Sequence, residues 1–571
     1  MKASRARRGK LAKPKPTRPV KTDQRLTSFL STESHLIAIV SLVILVFLCY
    51  ANSLGNEFVF DDIYLVAQNK QIRSLNLPLL LGTYRPLRDI TYALDFALWG
   101  EGPFGFHLTN MMLHAANTVL VFVLVRKLAN DLLSAVLAAL IFTVHPIQTD
   151  AVSYISGRRD LLFSFFYLLA FYSYLNYFRS RWSVRMVVHL LLFIVFWVLS
   201  LMSKEMAVSL PILIFVWHYC DAWEEGPVWW RQVLQTARRT LMRDKWSWLV
   251  LSLGGIAFTA YWVTVKGASR RVRLGNVEYW GGSFYTNFLT VIRVHAWYLK
   301  QLVFPTPIAQ YLGAFEVSQS AWDWSFVLSL GIVAAVLLYG FWLLNRDRLM
   351  AFAIFSYFVL LLPVSQIIPH HELLADHYLY LPLMSFGLFI SLLVRKLISN
   401  RTLSRKTAYA LAAIAVLILA AMTIMQNRTW QNERTLWAAN YKAVPNSPRA
   451  ALNLGNTYQD TDPEKAVELF KTALQLNPTP EIKRTLYDRL TVLLIAQQKL
   501  SEAEFYVSEV LDKAPNDFFG NLWASQIYML RKECDKARAR LSLANSSTGK
   551  LREVQLAEQA EIQLQQQCGI R

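Results

Sequence analysis

The stretch TNFLTVIRVHAWYLKQLVF (286–304) decides the architecture. It has the length of a membrane span, since about 20 helical residues cross a hydrocarbon core of ~30 Å. It also carries Arg293, His295 and Lys300, which are costly near a bilayer centre. If it crosses, the connector Asn345-Arg346-Asp347-Arg348 and the basic group Arg395, Lys396, Arg401, Arg405 and Lys406 fall on the outer side. Lysine and arginine collect in cytoplasmic loops, so both connectors would then be misplaced. If the stretch lies along the outer interface, both return to the cytoplasm. They join Arg126-Lys127, the Arg179/Arg181/Arg185 loop and the Arg231-to-Lys245 loop there. We adopt this second reading.

Working outward, apolar runs of span length lie near 35–50, 106–126, 131–149, 161–178, 185–202, 206–220, 247–265, 326–344, 349–368, 377–394 and 407–425. We expect about eleven spans, with a basic cytoplasmic tail over 1–34 and a membrane domain over 35–428. A third domain, 429–571, follows outside. The tail is long and dotted with proline, and no small-residue cleavage site follows the first run, so that run reads as an uncleaved span.

Composition agrees. Of 571 residues 54% are hydrophobic and 17% charged, where a soluble domain carries about 25% charged residues. The formal charge is +20, but it sits in the tail and the short connectors, a topology signal and not a nucleic-acid footprint. Cys49, Cys220, Cys534 and Cys568 form no CxxC or similar spacing, so neither a zinc site nor a disulfide framework is expected.

After Asn440 tryptophan and phenylalanine thin out and repeats begin. Leu454-Gly455, Tyr458, Ala466, Phe470, Ala473 and Pro478 follow the tetratricopeptide order. Tyr487, Leu490, Leu494, Ala503, Val507, Val510 and Pro515 repeat it, and Ala524, Tyr528, Ala537, Leu541 and Ala544 repeat it again. Ala503 and Ala537 stand one 34-residue repeat apart. About three helical hairpins, stacked as an α-solenoid, are expected, offering a groove for a peptide or partner.

The adopted topology gathers the chemically useful residues on the outer face. Asp61-Asp62 follow the first span: one carboxylate suits a general base, and two suit a divalent cation near a phosphate. The alternative is an acidic pair capping a short helix. Arg158 and Arg159 suit bidentate phosphate contacts, or else snorkel or pair with Asp160. Lys204-Glu205 reads either as a phosphate contact or as an internal ion pair. His370-His371-Glu372 and Asp376-His377 have metal-ligand residue types without the i,i+4 spacing of a zinc helix. Cations, carboxylates and histidines collected at one end suit transfer of a group carried on a lipid phosphate. A channel or pump more often shows ionisable residues at mid-span.

The ordered set Asp61-Asp62, Tyr84-Arg-Pro-Leu87, His145-Pro-x-x-x-Asp-Ala-Val152, Gly157-Arg-x-Asp-Leu161, Ser203-Lys-Glu205 and Tyr378-Leu-Tyr-Leu-Pro382, with the repeat tail, resembles the TMTC-type GT-C glycosyltransferases. That resemblance implies an all-α, polytopic GT-C-like helical bundle. It implies transfer of a sugar, typically mannose, from a polyprenyl-phosphate donor to Ser or Thr hydroxyls of proteins, by inversion. It casts Asp61 as the catalytic carboxylate and Asp62 as its partner. Arg158, Lys204, Arg85 and His377 would surround the donor phosphate, supported by His145, Asp150, Arg159, Glu205 and Tyr378. The chain departs from the family at Gln148, Asp150, Arg159 and Asp376-His377. Histidine stands at 377 where the family has arginine.

A divalent cation, Mg2+ or Mn2+, is permitted but not required. The expected partners are membrane lipid, the polyprenyl-phosphate sugar and a protein or peptide acceptor. Alternatives are an envelope glycan or lipid acceptor, and a non-catalytic scaffold docking partners through its repeats. The short repeat tail and lack of a retention signal lead us to expect a bacterial inner membrane with periplasmic repeats; an endoplasmic reticulum membrane with lumenal repeats is the alternative.

Overall fold

The computed structural model describes residues 24–180, 183–224, 229–243, 248, 252, 254–255, 278–306, 315–369, 372–547 and 551–568. The expected spans 247–265 and most of 1–34, the 266–273 loop and the pair His370-His371 lie outside or largely outside these residues.

The described chain is helical throughout. Seven of its helices are long and apolar enough to cross a membrane: Glu33–Ser53, Pro103–Ala129, Ile155–Arg179, Val184–Ser203, Trp324–Leu344, Pro382–Ser399 and Arg405–Trp430. An eighth is a broken pair, Leu132–Val144 and Pro146–Val152, bent by 54° where Pro146 cannot continue the helix. Ten of the eleven expected runs fall on described residues, and eight of those ten coincide with these helices and the broken pair. The run 206–220 resolves into a 3-10 turn, Glu205–Ser209, and a 12-residue helix, Leu210–Asp221. The run 349–368 holds a 14-residue helix, Arg348–Leu361. Both are short of the ~20 residues a straight span needs. The deciding stretch forms the helix Phe284–Val303 and is not among the spans; Arg293 turns to the Glu316 carbonyl at 2.6 Å and the Ser318 hydroxyl at 3.0 Å.

Burial sorts the spans into an inner and an outer set. Ile155–Arg179 and Pro103–Ala129 are 61% and 56% buried over their apolar windows, against 11% for Arg405–Trp430. The inner helix Pro103–Ala129 is not uniformly apolar. His107, Asn110, His114 and Asn117 are buried along it and bonded to Asn56 O, the Val152–Ile155 backbone and the Tyr380 hydroxyl. Mid-span polar groups missing from the expectation are thus present, each tied to a neighbour.

The basic connectors meet at one end. Arg126 donates to His35, Lys127 to Asn176, Arg395 to the Ala129 carbonyl and Arg348 to the Asp221 carbonyl, while Trp223 donates to Asn345. The 429–571 region stands at the opposite end. Its anchor is Asn427, fully buried, whose amide donates to Cys49 O and Asn52 Oδ1 and accepts from the Ser153 hydroxyl.

Beyond this anchor, helix Glu433–Ala443 leads into three hairpins: Pro448–Asn456 with Pro463–Gln475, Pro480–Ala496 with Leu500–Leu511, and Phe518–Leu530 with Cys534–Ser546. Their seams are the small positions read from the repeats: Ala466, Ala473, Ala503, Ala537 and Ala544 are buried. A Cβ on Gly455 would lie 2.4 Å from the Phe470 ring, so no larger residue fits there without separating the pair. The last helix, Leu551–Cys568, packs on the third hairpin and is tied to it by a Cys534–Cys568 disulfide, Cα–Cα 5.9 Å. This corrects the expectation from cysteine spacing. The two thiols are 34 residues apart and are brought together by helix packing, which no short motif records.

Candidate active site

At the end of the bundle opposite the basic connectors, the chain leaves the first span, and Phe60 adopts a left-handed conformation (φ 55°) just before Asp61. A bulky residue takes this conformation only when its surroundings impose it. The supports come from the repeat side. The Phe60 N–H donates to the Glu433 carboxylate, which also accepts from Trp437 Nε1 at 2.7 Å, and the Trp437 ring meets Phe60 edge-on at 5.8 Å. Glu57 N donates to Gln431 O, and Tyr154 stacks on Trp430 at 4.9 Å.

The adjacent carboxylates separate here. Asp61 lines a cavity. Asp62 turns inward, fully buried, and accepts from Ser156 N (2.8 Å), the Ser156 hydroxyl (2.5 Å) and Val59 N (3.3 Å). Burial pushes Asp62 up to about 7, against these hydrogen bonds, which pull it down. A carboxyl raised on folding stabilises the fold most when protonated. Stability from this group is therefore present below its free value of 3.8 and lost as pH rises toward about 7. The Asp62→Asn variant is expected to lack that loss, so its melting temperature relative to wild type should climb across this window.

Helix Arg158–Arg179 makes a second separation, because successive helical side chains point about 100° apart. Arg158 faces inward with no exposed surface, pairing with Asp95 at 2.6 Å and donating to Asn110 and the Phe106 carbonyl. It is absent from the cavity lining, where the sequence reading had put it. Arg159 takes that place. The turn beforehand is closed so tightly that a Cβ on Gly157 would lie 2.4 Å from Ala151 O.

The cavity, of about 1610 Å³, brings together Asp61, Arg85, Arg159, Lys204, Glu205, His377 and Tyr378. Arg85 bridges both Glu205 oxygens at 3.0 and 3.2 Å. Lys204 Nζ pairs with Asp160 at 2.5 Å and lies 4.9 Å over the Tyr378 ring; Arg159 reaches the same Asp160 at 3.4 Å. Burial drives the Lys204 ammonium pKa down while Asp160 holds it up. His377 Nδ1 and its backbone N–H both meet Asp150 Oδ2, at 3.0 and 3.1 Å, so Asp150 orients the ring from outside the cavity. His145 is also outside it, buried with Nε2 3.2 Å from Leu302 O. Two lining residues were given no part in sugar transfer by the sequence reading, Glu372 having been read only as a metal-ligand type and Glu433 not at all. Glu372 accepts from the Tyr378 hydroxyl at 2.9 Å and approaches His377 at 3.7 Å; Glu433 lies beside Asp61 in the lining. Glu372 had a signal, being next to His371. Glu433, 372 positions after Asp61, had none.

Both Asp62 oxygens accept hydrogen bonds, one from Ser156 and the other from Val59 N. Among the described residues no three His, Cys, Asp or Glu side chains gather to hold a metal ion.

The cavity's other wall belongs to the first hairpins. Arg449, Leu452, Asn453, Asn456, Ile482 and Thr485 line it together with Trp437. The fold and cavity define a polytopic helical membrane protein whose polar chamber lies between its spans and an attached hairpin array.

No family model matches the chain. It is similar to the protein O-mannosyl-transferase TMTC3 of Homo sapiens, 27% identical over 492 residues, covering 75% of this chain and 50% of the relative. To the protein O-mannosyl-transferase F38B6.6 of Caenorhabditis elegans it is 23% identical over 471 residues, covering 78% and 63%. The chain thus spans between half and two thirds of the length of these relatives, and the resemblance to the TMTC group carries through most of its own. Among solved structures, ArnT from Cupriavidus metallidurans bound to undecaprenyl phosphate aligns at a TM-score of 0.37 with 11% identity, covering 84% of this chain and 80% of that one.

Proposed function

We propose that the chain is an integral-membrane glycosyltransferase that moves a sugar, mannose by the likeness to its relatives, from a polyprenyl phosphate to a Ser or Thr hydroxyl of a polypeptide. One observation carries the proposal: a single cavity holds Asp61, the cations Arg85, Arg159 and Lys204, and the exposed faces of the first repeat hairpins. Asp61 takes the proton from the acceptor hydroxyl. The hydroxyl oxygen then bonds to the sugar's anomeric carbon from the side opposite the phosphate, and the carbon–phosphate-oxygen bond breaks with inversion. The cations hold the leaving lipid phosphate in a site whose walls are largely protein, where fixed charges act strongly. Arg85 is released from Glu205 to do so. The lipid tail leaves past Leu79 and Val364, which line the cavity, toward the exposed Leu77, Leu81, Ile367 and Ile368.

The acceptor enters as an extended segment along Asn453, Asn456 and Thr485, whose side chains offer hydrogen bonds to its backbone. The disulfide in the last helix supports an oxidising compartment for the repeats, and so an outward-facing chamber. A bacterial inner membrane and an endoplasmic reticulum membrane both supply such a compartment on that side.

The test uses the full chain in nanodiscs, a polyprenyl-phosphate mannose and a Ser/Thr-rich peptide. Mannosylated peptide supports the proposal; transfer to a glycan alone overturns the acceptor, and no transfer from any lipid-phosphate sugar overturns the activity. Within this reading Glu433 is a positioning residue. Glu433→Ala removes the acceptor of Phe60 N–H and Trp437 Nε1 and frees the left-handed turn before Asp61. A misplacement near 1 Å costs about 100-fold, so kcat should fall by up to about that factor while the donor KM holds, with Glu433→Gln recovering part of it.

A further inference from the structure

A second cavity, of about 1190 Å³, opens at the basic end of the bundle, away from the chamber. Its walls come from the helices Leu132–Val144, Pro382–Ser399 and Arg405–Asn427. Deep in it they are apolar: Leu133, Val136, Leu140, Ala412, Ala413 and Val416. From Arg405 at the mouth to Val416 at the far wall is eleven helical residues, about 16 Å of helix, or close to half of a ~30 Å hydrocarbon core. The groove is one leaflet deep.

The mouth is cationic. Among the described residues Arg395, Arg401 and Arg405 line it against a single carboxylate, Asp131. That carboxylate is occupied in capping its own helix, accepting from Ser134 N at 2.8 Å and the Ser134 hydroxyl at 2.7 Å. The connector that carries the arginines is fixed: Arg401 is left-handed (φ 58°), Thr402 N and Leu403 N both donate to Leu397 O, and the Ser404 hydroxyl accepts from Thr407 N. Arg401 and Arg405 are exposed and have no side-chain partner among the described residues.

We propose that this groove binds an anionic phospholipid, its phosphate on Arg401 and Arg405 and one acyl chain along the Leu133–Leu140 and Ala412–Val416 walls. Depth, an apolar floor and an unneutralised rim together match such a lipid; a zwitterionic lipid gains less from the rim, because its own ammonium offsets its phosphate, and an apolar partner helix gains nothing from it. The site is independent of the glycosyl-transfer reading.

The experiment compares the full chain in phosphatidylcholine nanodiscs with and without phosphatidylglycerol, counting bound lipid by native mass spectrometry and measuring melting temperature. Phosphatidylglycerol is expected to stay bound and to raise the melting temperature. In the Arg401→Gln/Arg405→Gln variant its preference over phosphatidylcholine should fall about 30-fold, the loss of two surface cations near a headgroup, with an unchanged melting temperature in phosphatidylcholine alone. An equal preference in the variant overturns the site. So does the same melting increment from soluble glycerol phosphate, which would make it a free-phosphate site. A photoactivatable phosphatidylglycerol should cross-link within 132–140 or 409–416; cross-links elsewhere only, or equal labelling by its phosphatidylcholine counterpart, overturn the proposal without depending on the variant.

Discussion

Replacing Asp61 by asparagine is expected to lower the kcat for the proposed sugar transfer by about 100- to 10,000-fold, the contribution typical of a positioned general base, and to leave the protein folded. The fold is spared because the Asp61 carboxylate accepts no hydrogen bond among the described residues; it borders open space in the chamber. Asparagine has the same shape but cannot take a proton at neutral pH. The cations across the cavity remain, so donor binding measured directly should change little. That pattern, kcat lost with binding kept, separates a base from a residue that holds substrate. Undiminished turnover in a variant that melts like wild type would remove Asp61 from the reaction.

The second large effect is on stability. Arg158→Met should destabilise the protein by about 3–5 kcal/mol, because removing one member of a buried ion pair strands the other. Asp95 would be left beside Thr109 alone, and Asn110 and the Phe106 carbonyl would each lose a donor. The neighbouring Arg159→Met should behave in the opposite way, folding normally while weakening the donor. Melting temperature in detergent and donor affinity, taken on both variants, form the comparison. A stable Arg158→Met protein that has lost donor affinity would restore Arg158 to the phosphate.

These paired contrasts mark where sequence reading ends. That Asp61, Arg85, Lys204, His377 and Tyr378 share one end of the bundle followed from counting charges in loops, since sidedness is a sum over many residues. Which of Asp61 and Asp62, or of Arg158 and Arg159, faces the chamber depends on one residue of helical or turn phase. That phase is set by contacts with Ser156 and Asn110 far away in the chain. The repeat seams were legible because close helix approach demands small residues at fixed spacing, as at Gly455 and Ala466. The disulfide and the Glu433 clamp were not, for both join residues whose proximity exists only after the helices have packed. Two apolar runs break at turns, 205–209 and 362–364, which hydropathy does not register.

The sulfur bridge that fastens the final helix gives the array's far edge a dependence on oxidative maturation. Chain made where thiols stay reduced should carry a frayed terminus, visible as fast amide exchange over 551–568, while the chamber and the first hairpin beside it are intact. Recombinant material purified under reductant would then behave normally in the proposed transfer to short peptides yet present a loosened platform to longer ones, a discrepancy arising in preparation and not in the protein.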